Sequence, residues 1–175
     1  ISASFYDFPS NFLRIIGVTG TNGKTTVTYL LKQLLEYSGE KIGIIGTTGN
    51  MIGTTLLTTN YTTPEAPELH KLLARMREES ITTVVMEVSS HALELKRVLG
   101  VHFSAALFTN LTHDHLDFHG SMENYAKVKK ILFDSLDENA IAIFNNDSEF
   151  ANILSLTTKA KTYFCGRKKC ADFLI

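Results

Sequence analysis

The sequence predicts an α/β fold, a mostly parallel β-sheet flanked by helices on both faces, and three observations predict it. Short apolar, β-rich runs alternate with stretches of helical period along the chain. The first of these runs feeds a glycine-rich turn that opens a helix, "GVTGTNGKTT" at residues 17–26. The polar clusters "TGTNGKTT", "EVSSH" and "TNLTHDHLDFH" follow apolar runs, at the carboxyl ends of strands, where open α/β sheets keep their function.

Each element follows from local pattern. "FLRIIGVTG" is the strand that enters the glycine loop. Beyond the loop, Val27, Leu30, Leu31, Leu34 and Leu35 stand at helical spacing, and Gly39 ends the helix. "KIGIIGTTG" is a second strand. "TTPEAPELHKLLARM" begins a helix with Thr63 as N-cap and Pro64 in the first turn, and Leu69, Leu72, Leu73 and Met76 form its buried face. Strands follow at "ITTVVMEVS", "SAALFTN" and "AIAIFNN", each succeeded by a helix, and "KTYFCG" is a late strand. No internal repeat or low-complexity segment interrupts the series.

The composition narrows the function classes. The chain has 175 residues, 44% of them apolar, enough for one domain with a sizeable core. A formal net charge of −1 carries no nucleic-acid footprint, and Arg167, Lys168 and Lys169 read as a solvated turn. No apolar run is long enough for membrane insertion, and the N-terminus is not a signal peptide. Cys165 and Cys170 make no disulfide framework and read as free thiols in a reducing cytoplasm. The chain lacks an initiator Met and stops in the apolar "ADFLI", so it reads as a piece of a longer protein.

The glycine loop departs from the usual phosphate-binding pattern, G-x-x-x-x-G-K-[ST]: Val18 stands where the first glycine belongs, and glycines stand at Gly17 and Gly20. The working parts are nevertheless present. Glycines allow backbone N–H groups to surround an anion, and the helix N-terminus adds a favourable partial charge. Lys24 can reach terminal phosphates, and the Thr25 hydroxyl can hold Mg²⁺.

Three further clusters carry chemistry. Glu87 ends an apolar strand and can ligate Mg²⁺ or orient water, although many strands end in a surface carboxylate. "THDHLDFHG" gathers His113, Asp114, His115, Asp117 and His119 in a spacing that fits neither a zinc finger nor H-E-x-x-H. One of them could ligate a hard cation, with the others supporting it or simply polar loop residues. In "SMENYAKVKKILF", Ser121 is the N-cap, and Met122, Tyr125, Val128 and Leu132 mark the apolar face. Lys129 falls within that stripe, either buried for a purpose or snorkelling at its edge.

These clusters, in this order, resemble the Mur ligase family. "GVTGTNGKTT", "TTPEA", "MEVSSHAL", "FTNLTHDHLDFHG" and "YAKVKKILF" carry the resemblance, over roughly residues 14–147. "TGTNGKT" alone would also admit folylpolyglutamate synthetases, whose loop usually reads Gly-Lys-Gly-Ser where this chain has Gly-Lys-Thr-Thr; "EVSSHAL" with "DHLDFHG" is more specific. The resemblance implies a P-loop NTPase-like central domain, incomplete at its end, with an N-terminal uridine-binding domain and a C-terminal amino-acid-binding domain absent. It implies that Gly20, Thr21, Asn22, Gly23, Lys24, Thr25 and Thr26 bind ATP. It further implies that Thr25, Glu87, His115 and a carbamate on Lys129 hold Mg²⁺, with Lys24, Glu87, His115 and Lys129 forming the catalytic set. Thr62, Thr63, Ser89 and Arg97 fall where the family contacts its UDP-MurNAc-dipeptide. Leu95 and Tyr61 depart from relatives that have Gln and Asn there.

The implied reaction adds a third amino acid, meso-diaminopimelate or L-lysine, to UDP-MurNAc-L-Ala-D-Glu through an acyl phosphate, in the cytoplasmic synthesis of a peptidoglycan precursor by a monomer. A folate polyglutamate ligase and a nucleotide-binding switch are the alternatives; a switch would leave Ser89–Arg97 and the Lys129 stripe unexplained.

Overall fold

The computed structural model describes residues 1–114 and 116–175, with the backbone alone at positions 116 and 117. A short helix α1 (Ser2–Phe5) and a 3-10 turn (Pro9–Phe12) precede β1 (Arg14–Thr19) and α2 (Lys24–Tyr37). Next come β2 (Ile42–Ile45), β3 (Asn50–Ile52), β4 (Thr55–Leu57), α3 (Ala66–Glu78), β5 (Thr83–Glu87) and α4 (Ser90–Glu94). The remainder is β6 (Ala105–Phe108), α5 (Leu116–His119), α6 (Met122–Asp134), β7 (Ile141–Asn145), α7 (Ala151–Ser155), β8 (Lys161–Gly166) and β9 (Phe173–Leu174).

Among the described residues nine strands form one sheet, ordered β4-β3-β2-β5-β1-β6-β7-β8-β9. Pairing is parallel from β2 to β9 and antiparallel where β3 joins β2 and β4. The chain leaves β1 toward β2 on one side, returns through β5, and then crosses to β6 on the other side of β1. The strand order therefore reverses around β1, which opens a crevice at the carboxyl ends of β5, β1 and β6. Register brings Val18 opposite Glu87 and Thr19 opposite Phe108 at that edge.

Both faces of the sheet are covered, as all-parallel strands require. Ile16, Val18, Ile42, Ile44 and Val85 turn toward α2, which packs on them through Val27, Leu31 and Leu35. Ile15, Val84 and Met86 turn the other way, into a larger core with Leu69, Leu73 and Met76 of α3 and Leu132 and Phe133 of α6. No helix among the described residues is long and apolar enough to cross a membrane.

Four details depart from the sequence expectation. Leu30 and Leu34 are 53% and 68% exposed, because α2 meets the sheet along a narrower stripe than its leucines span. Helix α3 begins at Ala66, with Glu65 as N-cap and Pro67 in the first turn. The Thr63 hydroxyl is spent elsewhere, donating to the Glu87 carbonyl oxygen at 2.8 Å. The β3–β4 hairpin, turning through Gly53 at φ +58°, and the edge strand β9 are too short to leave a periodic signal in the sequence.

Candidate active site

The glycine loop joins β1 to α2 at the crevice. Gly20 is buried with φ +150°, and a Cβ there would lie 1.9 Å from Thr109 Oγ1. Gly23 is the N-cap of α2 at φ +83°. The first α-helical bond runs from the Val27 N–H to the Gly23 carbonyl at 3.0 Å. The N–H groups of the turn before it have no intrahelical acceptor and face the edge where an anion would sit. The N–H groups of Thr21 and Asn22 are different: they donate to Asn110 O at 2.9 Å and Asn110 Oδ1 at 3.0 Å. The loop N–H groups left to meet an anion are therefore those of Gly23, Lys24, Thr25 and Thr26.

Lys24 folds back over the loop and donates to the carbonyls of Gly20 at 2.9 Å and Thr21 at 2.8 Å. Burial lowers its pKa from the usual lysine value, against the opposing pull of Glu87 and Asp114.

Glu87 is 1% exposed and fully engaged. Its Oε1 accepts from the Thr25 hydroxyl at 2.9 Å and the Thr47 N–H at 3.0 Å, and its Oε2 accepts from the Thr47 hydroxyl at 3.2 Å. Gly46 leaves room for this carboxylate, since a Cβ there would fall 2.4 Å from Oε1. A hydroxyl and a carboxylate in contact at a phosphate loop are hard oxygen donors, the kind Mg²⁺ takes. No group of three or more His, Cys, Asp or Glu side chains forms a metal cluster among the described residues. A cation here would thus depend on Thr25, Glu87, ligand oxygens and water; His115 lies outside the described residues.

Lys129 is buried on α6, 1% exposed, which decides between the two readings of the stripe. Its Nζ donates to Gly20 O at 3.1 Å and lies 4.5 Å from the Tyr125 ring centroid. The Gly20 carbonyl therefore accepts from both Lys24 and Lys129. Burial first, and the Lys24 charge second, pull the Lys129 pKa down to about 7, with Asp114 opposing. Tyr125 stacks on His119 with centroids 4.7 Å apart, and His119 Nε2 lies 3.0 Å from Ser90 Oγ. These contacts tie α6 to α4.

Thr62, Thr63, Ser89 and Arg97 come together beside this cluster. Thr62 Oγ1 lies 3.0 Å from Thr47 Oγ1, next to Glu87. Thr63 is buried, and its hydroxyl also accepts from the Ser89 N–H at 3.1 Å, so it serves as framework. Ser89 caps α4 through the Ala92 N–H. Arg97 donates to Thr63 O at 3.2 Å, pairs with Glu65 at 2.8 Å and lies over the Tyr61 ring at 4.8 Å. Its buried Nε has no hydrogen-bond partner among the described residues.

Residues 18–174 match the family model described as the Mur ligase middle domain. The chain belongs to the Mur ligase family. A UDP-N-acetylmuramoyl-L-alanyl-D-glutamate--2,6-diaminopimelate ligase of Cytophaga hutchinsonii is 43% identical over 173 residues, 99% of this chain and 36% of that protein. The ligase of the same name from Caldanaerobacter subterraneus subsp. tengcongensis is 46% identical over 171 residues, 98% of this chain and 35% of its own. A solved structure of a UDP-N-acetylmuramoyl-L-alanyl-D-glutamate--2,6-diaminopimelate ligase superposes with a TM-score of 0.81 at 36% identity, covering 91% of this Mur ligase chain and 33% of that one. The chain thus spans about a third of the length of the curated relatives it matches.

Proposed function

We propose that the chain is the central, ATP-binding domain of a ligase that joins an amino acid to the D-Glu carboxylate of UDP-MurNAc-L-Ala-D-Glu. In this reading it works between an N-terminal domain that holds the uridine end and a C-terminal domain that brings the amino acid. The observation that carries it is the convergence of Lys24, the Thr25–Glu87 pair and buried Lys129 on one crevice, with Lys24 and Lys129 sharing the Gly20 carbonyl. The names of the relatives at 43% and 46% identity support diaminopimelate as the incoming amino acid over L-lysine.

A carboxylate is a poor electrophile, and ATP supplies the phosphoryl group that makes it an acyl phosphate. The P–O bond to ADP breaks as the bond to the carboxylate oxygen forms. Attack by the neutral amine then makes the C–N bond, phosphate leaves with the C–O bond electrons, and the proton shed by the nitrogen passes to phosphate or solvent. Lys24 exchanges its two loop carbonyls for phosphate oxygens, and the N–H groups of Gly23 to Thr26 stabilise the charge that develops there. Thr25 and Glu87 would hold Mg²⁺, which supplies charge neutralisation on the phosphates. Lys129 is neutral enough near pH 7 to take up CO₂ as a carbamate. That change releases the amine's proton to solvent and would turn a buried amine into an anionic oxygen donor at the crevice.

The test is ADP release by the intact ligase with UDP-MurNAc-dipeptide and diaminopimelate, each omitted in turn. Release that requires both substrates is expected. Release independent of the dipeptide would end the ligase reading in favour of a nucleotide switch.

A further inference from the structure

We propose that Asn110 is a positioning residue for the nucleotide phosphates, acting through the backbone of Asn22. The proposal rests on the ATP-binding reading and deepens it. Asn110 follows β6 and makes no contact that the chemistry above uses. Its side-chain amide nevertheless meets both polar groups of one loop residue. Oδ1 accepts from the Asn22 N–H at 3.0 Å, while Nδ2 donates to the Asn22 carbonyl at 3.2 Å. Its own carbonyl accepts from the Thr21 N–H at 2.9 Å. A primary amide that meets the N–H and the C=O of one residue fixes both peptide planes flanking Asn22, and the second of them, Asn22–Gly23, leads directly into the α2 N-terminus.

The neighbours of Asn110 extend the clamp. The Thr109 hydroxyl donates to the same Asn22 carbonyl at 2.7 Å, and Thr112 Oγ1 accepts from Asn22 Nδ2 at 3.2 Å. From behind, Asn145 at the end of β7 donates to Thr109 O at 2.8 Å. The carboxyl ends of β6 and β7 thus hold the outer half of the loop. Gly20 is flanked so closely by Thr109 and Asn110 that only a glycine fits, as its 1.9 Å and 3.0 Å contacts show. This supplies a physical reason for a loop that departs from the usual glycine pattern. The first half of the loop is shaped by the adjoining segment, and its N–H groups are spent there. The second half is left rigid and open for phosphate, so less ordering remains to be done on binding.

A merely structural zip between β1 and β6 would predict a different outcome from this, and the two separate experimentally. In the intact ligase, Asn110→Ala removes both side-chain bonds. Asn110→Asp keeps the acceptor for the Asn22 N–H but sets an anionic oxygen against the Asn22 carbonyl and near the phosphates. The readouts are the Kd for ADP, the KM for ATP, the KM for the dipeptide and Tm. Asn110→Ala is expected to raise the Kd for ADP and the KM for ATP about tenfold, with the dipeptide KM unchanged, and Asn110→Asp to raise them further. Thr109→Val, which keeps the shape and loses one donor to Asn22, should move the same two constants in the same direction by less. Nucleotide constants within twofold of wild type would overturn the proposal, as would a parallel rise in the dipeptide KM with a fall in Tm. ADP binding needs no acceptor or amine. A wild-type protein that binds ADP but forms no amide would end the ligase reading and leave the Asn110 comparison intact; one that binds no ADP would overturn both.

Discussion

Lys24 and Lys129 share one acceptor, yet their environments assign them different work. Lys24 is half-buried, and although desolvation lowers its pKa, the carboxylates Glu87 and Asp114 oppose that fall; in the proposed reading it is the phosphate-binding cation. Replacing it with alanine in the intact ligase should cost roughly 3–4 kcal/mol of transition-state stabilisation, about two to three decades in rate, measurable as ADP release. Lys129 is buried on the other side of that shared contact, 1% exposed, and its burial costs stability. Its folded pKa of about 7 lies below the unfolded value near 10.5, so between those limits the unfolded chain holds a proton that the folded chain lacks. Wild-type stability should therefore rise with pH from about 7 toward 10.5, at up to about 1.4 kcal/mol per pH unit. In CO₂-depleted buffer, Lys129→Met should be more stable than wild type at pH 6 and lose that advantage as pH climbs, by denaturant melts. A pH-independent difference would show that the amine is not held neutral. The sequence made this lysine visible through its place on the stripe, but periodicity could not say how deeply the stripe was covered. Asn110 was less legible still: its role depends on β6 lying beside β1, and strand order is not written in local pattern.

At the scale of elements, local signals worked where one interaction dominated. Long apolar runs became the central strands, and Ser121 became the N-cap of α6, accepting from the Asn124 N–H at 3.2 Å. Ser121→Ala should therefore cost about 1 kcal/mol of stability. It should also lower activity, since α6 carries Lys129, and Ser121→Asp should retain both, by thermal melts and ADP release. An alanine variant as stable as wild type would mean the cap adds nothing to that helix. Local signals failed where a tertiary partner outbid them. Thr63-Pro64 has the form of a helix start, but the Glu87 carbonyl and Ser89 N–H take the Thr63 hydroxyl, and the helix waits for Glu65. Leu30 and Leu34 fit the helical period of α2, yet Val27, Leu31 and Leu35 alone suffice to meet the sheet. The β3 and β4 strands have three residues each, too short for an alternation to register.

Across the whole molecule, the crevice is built from one side. Buried Glu87 and Lys129 give it a floor, and Thr109, Asn110 and Thr112 buttress the loop, but Asn22, Gly23 and Thr26 are exposed to solvent. The Arg97 cluster is buried at Thr63 but open at its rim, where the Tyr61 ring that covers Arg97 is 48% exposed; Leu95 is 55% exposed. Acyl phosphates hydrolyse readily, so a ligase must exclude water and hold the acceptor carboxylate and amine in line. Nothing within the described residues closes over the loop to do this, and relatives nearly three times as long have the chain to supply it. The 175 residues by themselves should therefore bind ATP weakly at best, because the phosphate donors are formed but unshielded. They should form no amide from UDP-MurNAc-dipeptide and diaminopimelate. Calorimetry for the nucleotide and chromatography for the tripeptide product check the two halves separately. Tripeptide formed by this chain alone would mean that the crevice is already complete and that flanking domains are dispensable to the chemistry.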